Sequence, residues 1–327
     1  MKKALLILIL GTLLPSFCLA QSTEFTWQES PTVAQTLAVE SNKGLFIEFT
    51  GSDWCGACQL QDKHGLSQPD IQAIITKHFI PIRLDFLQKQ QMPTGRLEEI
   101  KHYENKFKIR AYPTIVIADA QERPVYFIFG YGSPKQLKND LNKGVQAYLD
   151  YVDLRKKFEK AKSKKSKAEH LASLLRKIPS QHLMTFYKAD YDELLKLDPK
   201  DETCFKIELE HQNLVKAQQK LLHDELTANR KLFQSPETLT SALQFLENYT
   251  QKDGLLPEIH QELLLFKARL LIKHKLPAEA KAPLEDAIKL QPNSPLAKTC
   301  NSLLKNLPFI IEKLTKPATS STSPIKQ

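Results

Sequence analysis

The apolar positions of this chain change period along its length. Leu45-Phe46-Ile47-Glu48-Phe49 is a short, nearly unbroken apolar run that stops at Thr50-Gly51, the pattern of a buried strand entering a loop. Phe79 to Phe86 alternates and predicts a second strand. Thr114 to Ala118 is rich in β-branched residues and predicts a third. Asp119 to Pro124 reads as a turn, and Val125 to Phe129 as the strand that answers it. Between these runs the period becomes helical. Val33, Leu37 and Ala38 mark an amphipathic helix before the first strand. Further helices are predicted from Trp54 past Leu60, over 71–78, over 97–107 and over 134–149. Strands alternating with helices at this spacing define an α/β unit with a central sheet.

From about Tyr151 the β-branched runs vanish and Lys, Glu, Leu and Ala dominate. The pattern predicts successive helices over 165–178, 181–197, 202–230, 236–250, 257–273, 277–290 and 295–314. Lys156 to Lys167 is a lysine-rich stretch, a linker or an exposed helix. Ala268, Ala280, Leu284, Ala287 and Pro292 sit at the spacing of the small and apolar positions of a tetratricopeptide repeat. Asp198-Pro199 resembles the end of another such repeat. The expectation is an all-helical module of stacked hairpins over 151–315, repeat-like in part, with an unrelated helical bundle as the alternative. Residues 316–327 are rich in Ser, Thr and Pro, a composition expected to be disordered.

The N-terminus has the layout of a signal peptide over 1–20: Lys2 and Lys3, an apolar core from Ala4 to Leu14, helix-breaking Pro15-Ser16, and Leu19-Ala20 before Gln21. The α/β unit is then 21–150. The mature protein is expected to be exported, into a bacterial periplasm, where disulfide chemistry is available. Of the five cysteines, cleavage leaves Cys55, Cys58, Cys204 and Cys300. Charge is uneven. Residues 1–150 carry 16 Lys+Arg and 15 Asp+Glu, leaving 30 and 22 of the chain's 46 and 37 for the remainder. The helical part is thus a basic module. Export argues against nucleic acid as its partner; protein docking and binding to anionic envelope surfaces stay open.

Trp54-Cys55-Gly56-Ala57-Cys58 is the motif with chemistry. A Cys-x-x-Cys pair is either half of a zinc site, a structural disulfide or a redox pair. A zinc site wants four ligands, whereas Cys204 and Cys300 are single, distant and in the other module. No metal or other cofactor is expected. So tight a loop constrains the unfolded chain little as a staple. Context favours the redox pair, because it follows a buried strand and opens a helix. Cys55 then sits at a helix N-terminus, where unpaired N–H groups and the macrodipole favour the thiolate. Cys58, one turn on, can displace a substrate from Cys55. Cys55 is the expected nucleophile, Cys58 the resolving thiol, and Trp54 packs beside them. Cys204 and Cys300 read as small buried helix residues, and His64 and His78 as surface residues.

The sequence resembles the thioredoxin superfamily over roughly residues 25–149. The carrying residues are Glu48-Phe49, then Trp54 to Cys58, then Arg110-Ala111-Tyr112-Pro113-Thr114, in the family's order and separation. The resemblance implies a Cys55–Cys58 disulfide in the oxidised state and a cis Pro113 facing the pair. It implies substrate-binding backbone at Tyr112, Pro113 and Thr114. It also implies that Glu48, in so apolar a strand, is the proton acceptor beneath Cys58. Two departures are visible. Ala57 stands where thioredoxin has proline, and Thr50-Gly51-Ser52-Asp53 is one residue longer than the thioredoxin loop. Strongly oxidising relatives carry a histidine before the second cysteine. Ala57 gives no such help to the thiolate, which favours a reductase or isomerase over an oxidase.

Two functions follow as expectations. In one, the protein is a thiol–disulfide oxidoreductase acting on exported cysteine-containing proteins and supplied by a membrane redox relay. In the other, it is an adaptor or chaperone-like protein whose helical module binds partners, with the thioredoxin-like part ancillary.

Overall fold

The computed structural model describes residues 25–315. The expected signal peptide and C-terminal tail lie outside the described residues. The chain forms two compact units, one up to Thr203 and one from Cys204.

The first unit is built on a mixed four-stranded sheet in the order β2-β1-β3-β4, with β1 at Gly44–Thr50, β2 at Phe79–Asp85, β3 at Thr114–Ala118 and β4 at Pro124–Phe129. β1 runs parallel to β2 and antiparallel to β3, and β3 is antiparallel to β4. Every residue of β1 and of β3 is buried, as their unbroken apolar runs require of strands covered on both faces. The N-terminal segment extends the sheet beyond β2 through a parallel bridge between Gln28 and Ile82.

Alternate residues of β1 feed two cores. Leu45, Ile47 and Phe49 meet Ile82, Leu84 and Val116 beneath α1 (Pro31–Ser41) and α4 (Arg96–Phe107), which supply Ala34, Ala38, Ile100 and Phe107. Phe46 points the other way, with Ile115 and Ile117, against α3 (Pro69–His78) and α5 (Pro134–Lys160). Each large side chain fully buried there contributes about 1.5–3 kcal/mol. α1 starts where the Ser30 side chain accepts the Val33 amide, with Pro31 in the first turn, and stops at Asn42, in the left-handed conformation with φ 53°; this is a strong start and stop signal. Its buried stripe is Ala34 and Ala38, while Val33 is exposed and Leu37 only half-buried. This corrects the expected apolar face: small residues let the helix lie close on the sheet.

α2 is short, Gly56–Gln61, and passes into a π-helical turn over Asp62–Leu66. α5 runs 27 residues, through residue 150 and on to Lys160. α6 (Lys164–Leu175), α7 (Ser180–Phe186) and α8 (Lys188–Leu197) then pack within the same unit. The single helix expected over 181–197 is broken at Tyr187. Tyr187 is fully buried, and its hydroxyl donates to the Pro124 carbonyl at 3.2 Å. Phe186 stacks on Phe107 and His182 on Phe127. A polar cluster reinforces the packing. Arg155 clasps Asp190 at 2.7 and 2.9 Å, and Arg123 and Tyr151 both donate to Asp119 at 2.7 Å.

The second unit is all helix: α9 (Phe205–Ala228), α10 (Leu239–Thr250), α11 (Pro257–Lys273), α12 (Lys281–Leu290) and α13 (Pro295–Thr315). Ala268, Ala280, Leu284 and Ala287 are fully buried in one core with Leu265, Leu271 and Cys300. Buried Gln261 donates to the carbonyls of Ala287 and Gln291 and accepts from Ser294, tying α11 to the end of α12. Cys204 departs from expectation. It is exposed, at φ 57°, and stands just before α9 rather than inside a helix. Among the described residues no helix is long and apolar enough to cross a membrane.

Candidate functional site

The loop from β1 to α2 is tied in from several sides. The amide of Cys55 donates to the Gly51 carbonyl at 2.8 Å, and Ser52 N–H donates to Asp85 Oδ1 at 2.8 Å. A side chain at Gly51 would collide with the Trp54 indole, so this position needs glycine. Trp54 Nε1 donates to the Phe86 carbonyl at 2.7 Å. Its ring meets Tyr112 edge-on at 5.6 Å, and Phe86 lies 6.4 Å from Tyr112.

Cys55 is the N-cap of α2, and its sulfur accepts the amide of Cys58 at 3.2 Å. The two sulfurs are joined as a disulfide. Cys55 retains 8% exposure and Cys58 only 1%, so an incoming sulfur meets Cys55 first. Gly56 and Ala57 are exposed, leaving the approach open. The Cys58 amide points at the Cys55 sulfur at the start of the helix, the kind of position where N–H groups stabilise a thiolate.

The Tyr112–Pro113 peptide is cis. The Tyr112 hydroxyl donates to Glu104 Oε1, and Thr114 Oγ1 donates to the Ala111 carbonyl at 2.8 Å. Pro113 and Thr114 are buried. Contact between Trp54 and Tyr112 brings the cysteine loop and the cis-proline loop together.

Glu48 sits on β1 with no exposure. Arg83, its register partner on β2, donates from Nε to Glu48 Oε2 at 2.8 Å and from a terminal nitrogen to Asp62 Oδ1 at 2.6 Å. Glu48 Oε1 has no hydrogen-bond partner. Burial pushes the Glu48 carboxyl up to about 7, against the pull of the Arg83 charge and hydrogen bond. The Arg83 guanidinium lies 4.3 Å over the Trp27 ring. Gln61 shares the buried face of α2 with Cys58, and its amide also lacks a partner.

Arg83, with Asp62 and Trp27 against it, faces Glu48, and Gln61 shares a helix face with Cys58; the motif discloses none of the four. The alternation Ile82-Arg83-Leu84 put Arg83 on the face opposite two core residues, and that was the available signal. His64 is exposed. His78 is half-buried, and desolvation lowers its basicity. Cys204 and Cys300 lie in the second unit.

The sheet, the capped cysteine pair and the cis proline define a thioredoxin-like domain, and residues 32–145 match the family described as thioredoxin-like domain. Among characterised proteins, the chain is similar to the thioredoxin-related protein DsbJ of Chlamydia pneumoniae. The two are 25% identical over 134 residues, 40% of this chain and 38% of DsbJ. It is also similar to the disulfide bond reductase DsbH of the same organism, 26% identical over 82 residues, 25% of this chain and 49% of that protein. The chain therefore spans less than half the length of either relative. A solved structure of DsbH oxidoreductase aligns at 19% identity with a TM-score of 0.34, covering 37% of this chain and 85% of that one.

Proposed function

We propose that this protein is a thiol–disulfide oxidoreductase for exported cysteine-containing proteins, working as a reductase or isomerase rather than a dedicated oxidase. The observation that carries the reading is the Cys55–Cys58 pair at the start of α2, with the first sulfur accessible and the second buried. The naming of one relative as a disulfide bond reductase and the absence of a histidine at Ala57 support the direction.

In the reductive direction the Cys55 thiolate attacks one sulfur of a substrate disulfide. A mixed disulfide forms and one substrate thiolate leaves. Cys58 then attacks Cys55 Sγ, releasing the second substrate thiol and closing the Cys55–Cys58 disulfide. The substrate gains two electrons and the protein loses them. Glu48 takes the Cys58 proton in this step; a carboxyl near 7 can both accept and return a proton at neutral pH. Trp54 and Tyr112 form the docking surface, and the backbone of Tyr112, Pro113 and Thr114 receives the substrate chain. Return to the dithiol needs an electron donor, and a membrane redox relay is its source. Lys2, Lys3 and the apolar run after them support export to the periplasm. The helices beyond residue 151, tetratricopeptide-like in part, serve to dock partners.

Trapping tests the reading. Reduced Cys58→Ser mixed with a disulfide-bonded polypeptide should accumulate a mixed disulfide on Cys55, and Cys55→Ser should not. A folded Cys58→Ser variant that forms no adduct would sink the proposal. The equilibrium potential of the pair gives the direction: near about −270 mV for a reductant, above about −150 mV for a disulfide donor.

A further inference from the structure

The residue before Trp54 has a bonding pattern that the thiol chemistry does not use. The Asp53 carboxylate accepts three consecutive backbone N–H groups: Gln88 at 3.1 Å, Lys89 at 2.6 Å and Gln90 at 3.1 Å. Three successive amides converge on a carboxylate only when the chain is wrapped around it. The neighbours of Asp53 reach the same stretch: Ser52 N–H bonds Asp85, and the Trp54 indole bonds the Phe86 carbonyl. Ser52, Asp53 and Trp54 thus each fasten the segment 85–90 to the loop that carries Cys55. This is the loop that is one residue longer than its thioredoxin counterpart.

Because the amides of 88–90 turn inward to Asp53, the side chains of Gln88, Lys89 and Gln90 stand exposed. Half-buried Trp54, Phe86 and Tyr112 form a contiguous aromatic surface beside them. The face next to Cys55 therefore has an apolar floor and a polar rim, and the rim's position depends on one carboxylate.

We propose that Asp53 is a positioning residue that sets the 86–90 segment as a second wall of the substrate groove, so that the protein favours polypeptide disulfides over small ones. This rests on the oxidoreductase reading above. A small disulfide needs only the Cys55 sulfur. A polypeptide lays an apolar neighbour of its cysteine on Trp54, Phe86 and Tyr112, and hydrogen-bonding or acidic groups against Gln88, Lys89 and Gln90.

The test compares full-length mature protein with Asp53→Ala, Asp53→Asn and Lys89→Pro, the last removing the nearest amide donor without touching Asp53, with Lys89→Ala, which loses the same side chain but keeps the amide, as its reference. Two substrates are used: insulin as a polypeptide disulfide and hydroxyethyl disulfide as a small one. Amide exchange at 88–90 reports whether the wall is released, and the potential of the Cys55–Cys58 pair is measured for each. In Asp53→Ala and Lys89→Pro, KM for insulin should rise by about fivefold or more with kcat little changed, the signature of lost binding shared by ground and transition states. The small-disulfide rate and the potential should stay at the wild-type value, and Asp53→Asn, which keeps an acceptor oxygen, should recover most of the loss. Wild-type insulin kinetics in a variant whose 88–90 amides exchange freely would overturn the proposal. So would an equal fall with both substrates, which would place Asp53 in the thiol chemistry instead. If the wild type reduces neither substrate, the oxidoreductase reading itself fails.

Discussion

Glu48 is caught between two forces that the geometry makes explicit. Complete burial opposes its ionisation, and the Arg83 guanidinium at 2.8 Å offsets only part of that cost. With the folded value raised to about 7 from 4.5, the folded state binds more protons than the unfolded state between those limits. Stability from this group is therefore complete below about pH 4.5 and declines as pH rises toward 7. Glu48→Gln lacks the group. The unfolding free energy of the variant minus that of wild type should rise by about 3 kcal/mol in the variant's favour between pH 4.5 and 7.5. Denaturant titrations at the two pH values measure this, and a difference that does not move with pH would contradict it. The cysteine pair was legible as a motif, because its chemistry depends on residues three apart and on one helix end. Arg83 and Asp53 were not, because their partners lie 35 to 37 residues away in the chain. Only the parallel pairing of β1 with β2 puts Glu48 opposite Arg83.

At the scale of elements, β3 could be read to the residue: a β-branched run bounded by Pro113 and Asp119 has no other reading. α2 was harder. Cys55 caps it from outside, so the helix starts two residues after Trp54, and its continuation is a π-turn. Neither has a sequence signature in a stretch this short. The far end of α5 was also missed. Tyr151 and Arg155, four apart, look like a solvated face until Asp119 and Asp190 are seen opposite them. The seating of α5 on the sheet depends on Gly144, where an added Cβ would run into Ile117 Cδ1 and meet Tyr126 at 3.1 Å. Gly144→Ala gains helix propensity of about 1 kcal/mol but overpacks a buried contact by more. The expected result is a net loss of about 1–2 kcal/mol, measured by chemical denaturation. A variant as stable as wild type would show that α5 can lift without cost.

For the whole molecule, the notable fact is how far the first compact unit extends beyond its sheet. Tyr187 is the largest fully buried side chain described, and it belongs to the helices after α5. A chain spanning 21–150 loses it, together with the stacked pairs Phe107–Phe186 and Phe127–His182 and the Arg155–Asp190 clasp. Removing one large aromatic from a core costs about 3–5 kcal/mol. The 21–150 chain should therefore melt about 10 °C or more below a 21–203 chain. Calorimetry on the two lengths decides it, and equal melting temperatures would make α6 to α8 a mere appendage. Composition marked residue 151 because the β-branched runs end there, but change of composition and end of packing are different events.

α5 is about 40 Å of unbroken helix. Its first half is bolted to the sheet through Leu137, Leu141 and Gly144, and its second half carries Tyr151 and Arg155. A hydrogen-bonded rod of this kind transmits torque where a glycine-rich tether would dissipate it. The α6–α8 helices are thus joined to β3 and β4 by a stiff rod rather than a flexible tether.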